Sequence, residues 1–169
     1  MSNFKEEIAD LTAKRLAKSD FGFAYKVVKK VSAAFTGGTT NAHGNVGGTL
    51  AAYPLFTVSG DCLIHVFGIC NVLPVGATGT LSIGVAGNTA ALIALETASE
   101  IAAGNVFVSA TQSVGVARLV GEPFVVAGPV GGTNLTVIET AATANITAGQ
   151  IDYYCMWIAL EPGAKVVAA

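Results

Sequence analysis

Few residues in this chain are of a type that does chemistry, and their spacing keeps them apart. Cys62, His65 and Cys70 are of metal-ligating type. In extended chain, however, a period of two puts Cys62 and Cys70 on one face and His65 on the other, so they do not read as a ligand set and no metal is expected. Cys155 has no acid or base beside it to lower its thiol pKa, which argues against a nucleophile. The acids beyond residue 30 are Asp61, Glu96, Glu100, Glu122, Glu139, Asp152 and Glu161. They are scattered singly, without the pairing that acid–base catalysis needs. His65 shares its alternation with Leu63, Phe67 and Ile69 and reads as a hydrogen-bonded core or subunit-interface histidine. His43 lies in a glycine-rich stretch and is expected to be exposed. The chain reads as non-enzymatic, with no cofactor.

The remaining concentration of chemistry is basic: Lys26, Lys29 and Lys30. Such a run is ordinarily a solvated strand edge, and its sharper reading is a contact with an acidic partner. Of the 20 charged residues, 11 fall in the first 30 positions, and the nine that follow are seven acids and two bases. A body with net charge of minus five is not a nucleic-acid surface. Charged residues make up 12% of the 169, about half the usual share, and hydrophobic residues 52%. So little charge makes poor surface for a free monomer, and much of it is expected to be covered by other protein, a homo-oligomer included.

A membrane is the competing explanation for that hydropathy. The best apolar run, Cys62 to Val75, is interrupted by His65, Asn71 and Pro74 and is shorter than the roughly 18–20 residues a spanning helix needs. Lys5, Glu6, Glu7 and Asp10 leave no room for a signal-peptide core, so no export is expected. Without export an outer-membrane barrel is disfavoured, and the sequons at Asn134 and Asn145 carry no meaning. The three cysteines then read as small buried hydrophobes that form no disulfide.

These residues must be positioned by elements that the spacing also describes. Residues 3–18 read as a short amphipathic helix with Phe4, Ile8 and Leu11 on one stripe, acids in its first turn and bases in its last. One thin stripe is marginal in water, so the helix is expected to dock or to act as an arm. Residues 21–35 alternate as a strand, with Phe21, Phe23, Tyr25 and Val27 on one face, and 36–49 read as a flexible glycine-rich joint. This divides the chain into an arm (1–35), a linker (36–49) and a body (50–169), with the body expected to fold without the arm.

From Leu50 onward the chain is a series of strand candidates punctuated by glycine. They are Leu50 to Val58 (an edge or bulge because of Pro54), Cys62 to Val72, Thr80 to Val85, Ala90 to Leu95, Asn105 to Ser109, Val114 to Val120, Pro123 to Ala127 and Leu135 to Glu139. The last, Gln150 to Leu160, holds the only Trp and is apolar on both faces, so it belongs inside a sheet. Ala90 to Ala103 has helical propensity, but a repeat favours extended chain. Ile101-Ala102-Ala103-Gly104-Asn105-Val106 echoes Ile146-Thr147-Ala148-Gly149-Gln150-Ile151, and Thr80-Leu81-Ser82-Ile83 parallels Asn134-Leu135-Thr136-Val137. The expected fold is all-β, a β-sandwich or jelly-roll-like body with Greek-key connections, preceded by a short N-terminal helix and arm.

Three runs carry a resemblance: Tyr53-Pro54-Leu55-Phe56-Thr57-Val58-Ser59-Gly60-Asp61-Cys62-Leu63-Ile64, then Gly79 to Ala94, then Ile146 to Leu160. Over roughly Leu50 to Ala169 the chain resembles small virion structural proteins of tailed bacteriophages. The resemblance implies a β-sandwich that assembles on the particle, foremost as a capsid decoration (cement) protein, often a trimer, bound to the major capsid protein. Its expected place is the virion, assembled in the host cytoplasm, with no nucleic acid or membrane as partner. The first 45 residues fall outside the resemblance. From their own pattern, Phe4, Ile8, Leu11, Lys26, Lys29 and Lys30 are the candidate capsid or subunit contacts. The alternative is a tail, fibre or head-fibre component that binds a receptor or glycan. Body loops rich in Ala, Gly and Thr offer few aromatics for a glycan, which favours cement.

Overall fold

The aromatic-rich run near the C-terminus forms a twelve-residue strand inside a sheet, as its two apolar faces require. The computed structural model describes residues 25–108, 125–129 and 133–169. Its strands are β1 (Lys26–Lys30), β2 (Ala52–Ser59), β3 (Cys62–Val75), β4 (Thr80–Val85), β5 (Asn88–Thr97), β6 (Val106–Phe107), β7 (Val125–Ala127), β8 (Leu135–Ala142), β9 (Ala148–Ala159) and β10 (Lys165–Ala168). They make two antiparallel sheets. The first runs β1-β9-β3-β6 with β7 also on β3; the second runs β10-β2-β8-β4-β5. Among the described residues the only helical turn is a 3-10 turn, Ala98–Glu100. The expected N-terminal helix and the strand expected at Val114 to Val120 lie outside the described residues.

The first sheet is organised on the pairing of β3 with β9, from Cys62 opposite Ala159 to Val75 opposite Ala148. Alternation sorts its side chains: Cys62, Ile64, Val66 and Cys70 are buried, while Leu63, His65, Phe67 and Ile69 are half-buried. Ile151, Tyr153, Cys155 and Trp157 join the buried set from β9, and Phe56, Val58, Leu81, Ile83 and Val137 come from the second sheet, so both sheets share one core. Each such side chain contributes about 1.5–3 kcal/mol by leaving water. Gly68 sits at an inward position where a Cβ would stand 2.9 Å from the Tyr153 ring, so the missing side chain makes room for the phenol.

Three expectations meet the structure directly. Ala90 to Ala103 is extended through Thr97 before the 3-10 turn, as the repeat favoured. Pro54 marks a bulge: the β2–β8 register shifts between Pro54 and Phe56, and β10 pairs only with Phe56–Ser59. The echoed turns, with Gly104 at φ +85° and Gly149 at φ +109°, deliver β6 and β9 to opposite sides of β3, where Ile69 lies between Val106 and Asp152.

Residues 26–49 behave differently from a joint between arm and body. Lys26–Lys30 pairs along β9 from Trp157 to Tyr153, and Phe35 is 1% exposed. Phe35 N–H donates to Gly149 O at 2.9 Å, Gly37 N–H to Ile146 O at 2.9 Å, and Ile146 N–H to Gly44 O at 2.9 Å. A Cβ on Gly37 would strike the backbone of Gly44 and of Ile146, so the glycines here serve close backbone approach. The folded body therefore includes residues on both sides of the boundary placed at 35, because a buried aromatic and a ladder of backbone bonds hold them.

Candidate functional site

The three lysines of β1 divide between its two sides, because successive residues of a strand face opposite ways. Lys26, Val28 and Lys30 stand opposite Trp157, Cys155 and Tyr153, which point into the core, whereas Val27 and Lys29 face outward. Lys26 Nζ lies 5.0 Å from the centre of the Trp157 ring. Lys30 Nζ lies 5.5 Å over the Tyr53 ring of β2 and donates to the carbonyl of Ala169, just past β10. Lys30 therefore ties the two sheets at their open margin. Lys29 Nζ is 2.8 Å from Asp152 Oδ2 and 5.4 Å over the Tyr154 ring. Hydrogen bonding to Asp152 and then to Tyr154 raises the Lys29 pKa, with desolvation acting against it. For Asp152, burial pushes the carboxyl up, but hydrogen bonds from Lys29 and Asn71 and the Lys29 charge outweigh it and leave the pKa lowered. A short edge strand with lysines on both sides is protected against pairing with another chain. Of the other expected contacts, Phe4, Ile8 and Leu11 lie outside the described residues.

Beyond the Lys29–Asp152 pair, the outward side of the first sheet is largely apolar. Leu63 faces Ile158, His65 faces Met156 and Phe67 faces Tyr154 across the β3–β9 ladder, with the last two rings stacked at 5.3 Å. Val27 on one flank is 59% exposed and Val126 on the other 63%. The core lies on the opposite side, between the sheets, and none of the described strands covers this outer face.

His43 corrects the expectation that it would be exposed. It is 4% exposed, held between the Phe35 ring at 4.4 Å and the Tyr53 ring at 4.0 Å. Its Nδ1 lies 2.9 Å from Ala33 O, and its Nε2 lies 2.9 Å from Oε1 of Glu139, itself 1% exposed. A backbone carbonyl only accepts, so Nδ1 carries a hydrogen. Burial, and next the Glu139 charge, push the Tyr153 phenol well above its ordinary pKa. This cluster is sealed from solvent, so it fixes structure and does not face a substrate. Sequence reasoning passed over Glu139, although a signal was there: it shares the alternation of Leu135, Val137 and Ala141, and an acid on the inward side of a strand requires a buried partner.

The cysteines are free and buried, and desolvation pushes the Cys155 thiol up to about 12. Cys62 and Cys70 occupy inward positions and His65 an outward one, the separation expected from alternation. Among the described residues no three His, Cys, Asp or Glu side chains stand close enough to hold a metal ion. Among them, too, no helix is long and apolar enough to cross a membrane. No family model, no curated protein and no solved structure matches the chain.

Proposed function

We propose that the protein is a non-enzymatic virion structural protein of a tailed bacteriophage, a capsid decoration protein that binds the outer shell and stabilises it. The two sheets on one core, with chain crossings between sheets at β1–β2, β2–β3, β3–β4, β5–β6, β7–β8, β8–β9 and β9–β10, support a sandwich with Greek-key connections as its body. The observation that carries the functional reading is the exterior. Twelve large hydrophobic side chains are exposed among the described residues, including Val72, Leu73 and Val75 together at one end of β3. A surface of that kind favours burial against protein, here the major capsid protein and further copies of the chain, a trimer being favoured. The three lysines of β1 already bond within the fold, so the shell contact is assigned to this apolar exterior.

The test is localisation. Particles assembled with a tagged copy, imaged at low resolution, should carry the tag on the outer head surface, and particles lacking the protein should release their genome at lower temperature. Density on the tail or on fibres would select the receptor- or glycan-binding alternative. Absence from purified particles would sink both.

A further inference from the structure

We infer that the outer face of the first sheet is a self-association surface, on which a second copy of the chain packs two-fold, sheet against sheet. The inference deepens the self-association named above and rests on the reading that the exterior is buried against protein, not on the virion. The two outer faces of the fold differ in kind. On the second sheet the outward positions include Thr57 opposite Thr136 and Ser59 opposite Lys165, the hydroxyls and charge of a sheet face that meets water. On the first sheet Met156 and Ile158 of β9 and Leu63, Phe67 and Ile69 of β3 point outward, all half-buried. Four of the twelve exposed large hydrophobic side chains among the described residues flank that centre: Val27 on β1, Val126 on β7, Val106 on β6 and Val72 near the end of β3. Their partners in the ladders, Met156, Leu63, Ile69 and Gln150, are outward residues of the same face.

The charges on this face decide the occupant. Its outward strand positions carry one cation and one acid, Lys29 and Asp152, already paired at 2.8 Å. Lys29 also stands 5.4 Å over the Tyr154 ring, whose other side stacks on Phe67 at 5.3 Å, so the centre of the face is set before a partner arrives. A partner of single sign would meet one favourable charge and one opposed. A second copy brings the same neutral pair, and in a two-fold contact residue i meets j as j meets i, so the two pairs close a ring of alternating charges. Both ions keep their own partner when covered, the condition under which burying a charge is tolerated. Area agrees. From Gln150 to Ile158 the face runs about 26 Å along β9, and from β1 across β9 and β3 to β6 or β7 it is about 19 Å wide, at ordinary strand rise and spacing. Two such faces in contact cover about 1,000 Å² in projection, the size at which a specific interface begins. Sheets stacked face to face interdigitate their side chains, which would bury the flanking valines together with the centre.

The test is the mass of the full chain in solution, by light scattering over a concentration series. At micromolar concentration it should be twice that of one chain, and a monomer or a trimer would overturn the proposal. Val27→Glu with Val126→Glu, both on exposed flanks, should raise the dissociation constant about 100-fold with unchanged far-UV circular dichroism, about tenfold for each charge buried at the contact. Thr136→Glu, on the outer face of the second sheet, should leave it unchanged. The reverse pattern would place the contact elsewhere and overturn the assignment. A second measurement does not depend on the folding of the double variant: the chain with benzoylphenylalanine at position 27, in isotopically light and heavy forms, is mixed one to one and irradiated. Crosslinks joining light to heavy chains at the outward residues of β3 and β9 support the pairing; crosslinks confined within one chain, or to other surfaces, count against it. The virion reading is judged separately, since a dimer absent from particles would leave this face assigned and a monomer seated on the head would sink this inference alone.

Discussion

His43 Nε2 lies 2.9 Å from Glu139 Oε1, joining residues 96 positions apart inside a cluster that water does not reach. The contact fastens the glycine-rich stretch to β8 of the second sheet, while the ring stacks on Tyr53 of β2.

Removing one side of that pair should be costly. His43→Ala leaves the Glu139 carboxyl buried without its partner and is expected to lower stability by about 3–5 kcal/mol. Glu139→Gln keeps a polar group opposite Nε2 and should cost less. Urea unfolding midpoints check both, and a loss under about 1 kcal/mol for His43→Ala would mean the pair is not a clamp.

Asp152 gives the protein a predictable acid limb. Its folded pKa is lowered, so its contribution is full above the unfolded value of about 4 and is lost as pH falls through the folded value. Asp152→Asn should therefore cost about 1 kcal/mol at pH 7, the half-exposed Lys29 limiting the figure. The gap to the parent should close below pH 4. A constant gap from pH 7 to pH 2, followed by thermal unfolding, would contradict the assignment.

The thiols should be silent in the native state. Cys155 has its pKa near 12, and desolvation raises Cys62 and Cys70 as well. Iodoacetamide at pH 8 is expected to modify none of the three before unfolding and all three after it, read by intact mass. A bridged pair would contradict the free thiols seen here.

Truncation should separate what the sequence boundary joined. Removing residues 1–35 deletes β1 and the buried Phe35, and the remainder is expected not to fold, since Phe35→Ala alone should cost about 3–5 kcal/mol. Circular dichroism and gel filtration decide it. A compact, cooperatively unfolding product would show that β1 is dispensable.

Period-two patterning made the strands legible: Gln150 to Leu160 announced an interior strand, and the echoed Ala-Gly turns announced two like units, though not that both would deliver a strand to the same neighbour, β3. Residues 36–49 misled because glycine serves two purposes. Composition alone reads it as freedom, whereas Gly37 and Gly44 are there so that backbone can approach backbone. Likewise a histidine between glycines looks solvent-bound until its acid, almost a hundred residues on, is brought beside it. Alternation separates Lys29 from Lys26 and Lys30, as the structure has it; what the sequence could not supply was their partners, which depend on the strand that flanks β1, a property of the completed sheet.

The pairing of β1 with β9 also sets an order of events during synthesis. Lys26 waits for Trp157, and Cys62 for Ala159, so the first sheet cannot close until β9 has left the ribosome. The second sheet can begin sooner, since the β4–β5 hairpin joins neighbours in the chain. Until β9 arrives, the fourteen residues of β3 are an apolar strand without its main partner, a state prone to aggregation. Yield of this protein in a host should therefore depend more on temperature and on holding chaperones than on its final stability.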